Sequence, residues 1–172
     1  MIGLLVLAAG LQLPPQQLEI ASKIAGEGKP GCTAYHPDGT IGACLPTFEI
    51  EPTGQVNGES AGPRIAFTRA ATVKLTRDEF ALLAGHEIAH YYLGHRGSNP
   101  AVELAADQLG AQIACEAGYD PAAGATLFRF LGAGKTHPAR ADRRAAVLGV
   151  RCSPRMSLSP PTAPAAPPDS RQ

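Results

Sequence analysis

The order of patterns along the chain predicts an α+β fold. Residues 31 to 75 are rich in Gly, Pro and Thr and hold four short β-prone runs, CTAY, TIGAC, TFEIE and RIAFT. From Thr76 onward the pattern turns helical, with capping signals spaced for about four helices. No internal repeat is visible. A small, mostly antiparallel sheet followed by a bundle of about four helices is the expectation.

Residues 1 to 13 form an apolar leader of about ten apolar residues, too short to span a bilayer as a helix. It resembles the hydrophobic part of a secretory signal, with Ala8, Ala9 and Gly10 near a cleavage point but no basic start. A buried segment is the alternative. Residues 15 to 27 read as a first helix. Cys32 and Cys44 then bracket a hairpin with the loop Pro37-Asp38-Gly39, in a register that sets the two cysteines opposite each other. A disulfide there leaves Cys115 and Cys152 as a second pair, which favours a periplasmic or secreted protein. Four free thiols in a cytoplasmic protein are the alternative. No C-x-x-C pair supports a four-thiolate metal site.

Thr76 and Glu79 form a capping box for a helix running to about His95 and closed by Gly97. Asn99, with Pro100 in the first helical position, opens the next, ending near Gly118. Asp120-Pro121 opens a third to about Leu131, and His137-Pro138 a fourth to about Leu148. Residues 153 to 172 are a Pro-rich tail with too little apolar bulk to fold. Residues 14 to 152 are long enough for one core.

Fifteen basic and fifteen acidic residues cancel, so electrostatics supplies no reason to expect nucleic acid as a partner. The late arginines and Lys135 read as a solvated helix face. GAGKT at 132 to 136 is not a phosphate loop, because the required glycine at position 129 is Arg and the stretch follows a helix.

The chemistry concentrates in GHEIAHYYLGH, residues 85 to 95, which holds three of the five histidines. H-E-x-x-H is expected by chance roughly 0.007 times in a chain of this composition. His86 and His90 are four apart and share a helix face, so both can reach one zinc ion, while Glu87 is placed to take a proton from water. Zinc needs a third protein ligand. His95 falls one residue short of the H-E-x-x-H-x-x-G-x-x-H spacing. Glu103 on the following helix is the better candidate, and Asp107, one turn on, can accept the second N–H of a ligating histidine. Taken singly, Glu103 also reads as a first-turn acid favoured by the helix dipole.

HEIAHYYLGH, VELAADQLGAQIACEAGYDPAA and THPARADRR together resemble the HtpX and CAAX-prenyl-protease family of gluzincin metallopeptidases, including its small periplasmic members without membrane spans. The resemblance runs from about Asn57 to Leu148. It implies a minimal gluzincin domain, one zinc ion held by His86, His90 and Glu103, and Glu87 as general base. It also implies His137 and Arg143 near the open side of the metal, as catalytic groups, with His137 alternatively closing the site in a resting form. A zinc-dependent metalloendopeptidase acting on a peptide or protein substrate is the implied function, without a transmembrane span and compatible with peripheral membrane association. The alternatives are a self-inhibited, zinc-holding chaperone or binding module and a cytosolic regulatory metalloprotease. Two departures stand out: the link from His90 to Glu103 is nearly minimal, and NGESAGPRIAFT poorly matches the family's substrate-holding strand.

Overall fold

A computed structural model of the chain describes residues 12–26, 33–35, 41–132, 134 and 136–151. The leader up to residue 11, the Pro37-Asp38-Gly39 turn, Cys32, Cys152 and the Pro-rich tail lie outside the described residues. The architecture is mixed α+β: one helix, then five strands, then the remaining helices.

Helix α1 (Pro15–Ala25) starts with proline at its first position and stops where Gly26 takes φ 59°. Strands β1 (Thr33–Tyr35) and β2 (Ile41–Ala43) pair antiparallel with Thr33 opposite Ala43, the register the hairpin reading requires. Strands β3 (Thr47–Glu51), β4 (Gly58–Ala61) and β5 (Arg64–Thr68) form a separate sheet in the order β3-β5-β4. The strands thus divide into two sheets rather than one, and β3 runs parallel to β5. The reason is the turn at Gly62-Pro63. With φ 63° at Gly62, β4 folds directly back on β5 and takes one edge, leaving only the far edge for β3. Sequence reasoning did not foresee β4, because GESA contains no β-branched or aromatic residue.

Phe67 on β5 stacks on Phe48 at 6.3 Å and meets Phe80 at 5.0 Å. Such pairs add about 0.5–1.5 kcal/mol to their buried area. They fasten the sheet to the helical layer. Thr68 ends β5, and its Oγ1 accepts the Ala71 N–H at 3.2 Å, starting the short α2 (Arg69–Lys74), also unforeseen.

Helix α3 (Arg77–Leu93) is the centre of the molecule: every residue from Glu79 to Ala89 is buried. A helix covered on all sides shows no apolar stripe, because α1, α4, α5 and β4 each take part of its circumference. The Thr76–Glu79 capping box opens it as expected. Its end differs, since Gly94 rather than Gly97 closes it. Gly94 adopts φ 65°, its N–H reaches Tyr91 O, and His95 N–H returns to His90 O at 3.0 Å.

Asn99 caps α4 (Pro100–Glu116), accepting the Ala101 and Val102 N–H groups at 3.0 and 3.1 Å. Asp120 opens α5 (Pro121–Gly124), but the helix expected to reach Leu131 tightens into a 3-10 turn over Ala125–Arg129. There the Thr126 hydroxyl and the Arg129 guanidinium turn back to Glu79 on α3. The last helix, α6 (Arg140–Leu148), begins three residues after His137. Among the described residues, no helix is long and apolar enough to cross a membrane.

Candidate metal centre

His86, Glu87 and His90 stand on the inner part of α3, and Glu103 and Asp107 on the first turns of α4. Two glycines let these helices touch. A Cβ at Gly110 would lie 2.6 Å from His86 N and 2.7 Å from Gly85 C, a backbone clash that no rotamer relieves. The antiparallel crossing then sets Asp107 beside His86 and Glu103 beside both histidines.

Three ligand atoms converge. His86 Nε2 and His90 Nε2 are 3.0 Å apart, His86 Nε2 lies 3.3 Å from Glu103 Oε2, and His90 Nε2 lies 3.7 Å from Glu103 Oε1. A tetrahedral ion with bonds of about 2.0–2.2 Å separates its ligands by about 3.3–3.6 Å, so these edges are close to the required size. Glu103 Oε2 is buried and accepts no hydrogen bond. Leaving such an oxygen without a partner costs about 1–3 kcal/mol, and a cation at the centre of the triangle would supply what it lacks. The three residues fit a metal ion: among the described residues, theirs is the group whose ligand atoms converge, all within 4.8 Å.

Each of the three is also held from behind. His86 Nδ1 donates to Asp107 Oδ1 at 2.9 Å, which leaves the Nε2 lone pair facing forward. Asp107 in turn receives Arg143 Nε and Nη2, both at 2.7 Å. His90 Nδ1 meets His95 Nδ1 at 3.0 Å, and Glu103 Oε1 accepts the Ser98 hydroxyl at 2.6 Å. Sequence reasoning found Asp107 but missed Ser98 and the part His95 plays. Their only signal was position, inside the turn that joins the two ligand-bearing helices.

Burial disfavours charge throughout, and neighbours decide the outcome. For His86 burial pushes the pKa down, but the Asp107 and Glu103 carboxylates prevail and raise it to about 9. For His90 burial and the nearby His86 charge act together and lower it to about 4. Burial would raise Glu103, yet the adjacent His86 imidazole and the Ser98 hydroxyl hold it at about 2. Burial lifts Glu87 to about 7. The arrangement favours one positive charge beside Glu103, carried by a proton on His86 or by a metal cation.

These groups line a cleft of about 920 Å³ whose opposite wall is formed by residues 54–60. Glu87 sits against β4: a Cβ at Gly58 would come within 2.8 Å of its Oε1. β4 is an edge strand, placed where the sequence matched a substrate-holding strand poorly. On the open side His137, nearly half exposed, holds Nε2 3.7 Å from Glu103 Oε2. Arg143 is buried beneath the ligands with two nitrogens committed to Asp107, and its Nη2 lies 3.8 Å from Glu103 Oε2. Neither Cys44 nor Cys115 is a free thiol; the expected partners, Cys32 and Cys152, are not among the described residues. Scanned against protein-family models and compared with curated proteins, the chain matches none.

Proposed function

We propose that the protein is a zinc-dependent metalloendopeptidase of the gluzincin type, exported and acting on an extended peptide segment. The observation that carries the reading is the buried His86, His90 and Glu103 triangle with an unpartnered Glu103 Oε2, opening on a cleft beside Glu87. His86 and His90 would hold the ion through Nε2 and Glu103 through Oε2. Bound zinc lowers the pKa of its water to about 7 and polarises a carbonyl.

The chain's own residues supply the rest. Glu87, with its carboxyl lifted to about 7, takes the proton of the attacking water and returns it to the leaving amine. Asp107, braced by Arg143, keeps the His86 proton on Nδ1 so that Nε2 stays available. The free edge of β4 offers backbone groups to an extended peptide alongside Glu87. His137, on the open side, is placed to donate to the oxyanion that forms as the peptide carbonyl is attacked.

The test is metal content and hydrolysis measured together. One zinc per chain should bind to the wild type and be largely lost in Glu103→Ala. Glu87→Gln should keep zinc and lose about 10²–10⁴ in rate. Full hydrolysis by Glu87→Gln would remove Glu87 from its role, and equal zinc in wild type and Glu103→Ala would remove Glu103.

One observation favours a second reading, the self-inhibited binding module. His137 Nε2 lies close enough to Glu103 to approach an ion in the same site. His137→Ala should then raise activity, whereas it lowers activity if His137 serves the oxyanion.

A further inference from the structure

We propose that the turn joining α3 and α4 is a positioning device for the metal. In it His95 fixes His90 and Ser98 fixes Glu103, so that residues 95–98 set metal affinity as well as connecting the helices. The inference rests on reading the site as a metal centre.

Three candidate ligands need three partners behind them, because a ligating side chain with a free outer atom can rotate or present the wrong tautomer. His86 has Asp107. For His90, an ion at Nε2 leaves the hydrogen on Nδ1, and the group in reach of that hydrogen is His95 Nδ1 at 3.0 Å. The two rings are inclined at 70° and meet through their Nδ1 atoms, so the contact is a ring-to-ring hydrogen bond rather than a stack of two faces. The backbone explains the placement. Gly94 reverses the chain with φ 65°, and His95 N–H bonds back to His90 O at 3.0 Å. His95 therefore holds the ligand twice, once through its backbone and once through its ring.

Ser98 does the corresponding work for the carboxylate. Its hydroxyl occupies Glu103 Oε1 at 2.6 Å and leaves Oε2 pointing inward, buried and unpartnered. A carboxylate with one oxygen engaged in this way offers a single oxygen to a cation. Ser98 reaches it because it directly precedes the Asn99 cap, one turn below Glu103 on α4. The near-minimal connection thus has a physical consequence: a longer insertion would carry His95 and Ser98 away from the residues they hold.

Neither side chain belongs to the hydrophobic core, and Ser98 is exposed. Truncation should therefore leave the fold intact. The full chain, stripped of metal, would be titrated with Co²⁺ alone and with Zn²⁺ against a chelator. His95→Ala and Ser98→Ala should each weaken binding about 10–100-fold, in a metal-free protein that still melts cooperatively. His95→Gln, which keeps an acceptor, and Ser98→Thr, which keeps the hydroxyl, should recover most of the loss. The visible Co²⁺ absorption of the alanine variants should shift, reporting altered ligand geometry. Alanine variants that bind within twofold of the wild type would overturn the proposal, as would conservative variants no better than alanine. A wild type that binds neither ion would instead sink the metal reading and this proposal with it.

Discussion

Helix α3 meets a buried acid at each end of its core, one of its own and one from α4, and their surroundings are opposite. Near its start, Glu79 is fully buried and has a donor for each oxygen. Oε2 accepts the Thr76 N–H at 2.9 Å, and Oε1 accepts the Thr126 hydroxyl at 2.5 Å and the Arg129 guanidinium. At the other end Glu103 reaches in from α4 beside His86 and His90, buried nearly as deeply, with one oxygen bonded to Ser98 and the other without a hydrogen bond. A satisfied buried acid closes a network, while an unsatisfied one is held ready for something the protein chain does not contain. The first end keeps the fold together. The second has the donors to hold a cation.

The sharpest way to break this comparison is to neutralise Glu103. Glu103→Gln keeps a carbonyl for Ser98 and places an amide donor beside His86 Nε2, relieving the orphaned oxygen. Metal affinity should fall more than the roughly 100-fold that loss of an outer partner can cost, while the metal-free protein, melted above the His86 pKa of about 9 so that Nε2 can accept from the amide, melts at the same temperature or higher. A lower melting temperature without metal would mean that Glu103 stabilises the fold as Glu79 does, and the contrast would collapse.

Next in size is the crossing that creates the second end. Gly110→Ala drives a methyl to 2.6 Å from His86 N. Better helix propensity returns about 1 kcal/mol, but forcing the backbones apart costs more, so a net loss of about 2 kcal/mol is expected in chemical unfolding. The same displacement moves Glu103 and Asp107 from the histidines, so metal affinity should drop together with stability. Lost stability at full affinity would show that the helices can part without disturbing the ligands.

How legible each end was in the sequence follows from how local its signals are. Thr76 and Glu79 are three residues apart and announce their capping box directly. His86 and His90 share a helix face by spacing alone, and Glu103 and Asp107 repeat that spacing on the next helix. What stayed hidden depends on tertiary approach. Gly85 and Gly110 lie 25 residues apart, and nothing in the sequence marks that their backbones touch. Gly58 has meaning only because Glu87 lies against it, and Arg129 closes on Glu79 across fifty residues of chain. Strand β4 was invisible for a related reason: its residues have little strand preference, and pairing with β5 alone makes it a strand. The closing glycine of α3 was misplaced by three positions because Gly94 and Gly97 look alike in sequence. Only the return bond from His95 to His90 separates them.

A smaller effect is expected at the first end. Glu79→Gln keeps a carbonyl for the Thr76 N–H and turns an amide NH2 toward Thr126, whose hydroxyl can still donate to Ala123 O, but it loses the charge that draws Arg129, whose side chain is 49% exposed. Solvent screening holds that pair to a modest value, so about 1 kcal/mol of stability should be lost with metal affinity untouched. Any change in metal affinity would mean the two ends of α3 communicate.

The least of the expected effects sharpens the same point through pH. Burial alone would raise the Glu79 pKa, but the bonds from Arg129 and Thr126 outweigh it and lower the folded value. A carboxyl that holds its proton less tightly when folded than when unfolded stabilises the protein in full above the unfolded value of about 4.3. That contribution fades as pH falls through the lower, folded value. Wild type and Glu79→Gln should therefore differ most at neutral pH and converge in acid, in unfolding curves taken on metal-free protein from pH 7 downward. A gap that stays constant into acid would show that Glu79 acts through packing and cap geometry rather than through its charge.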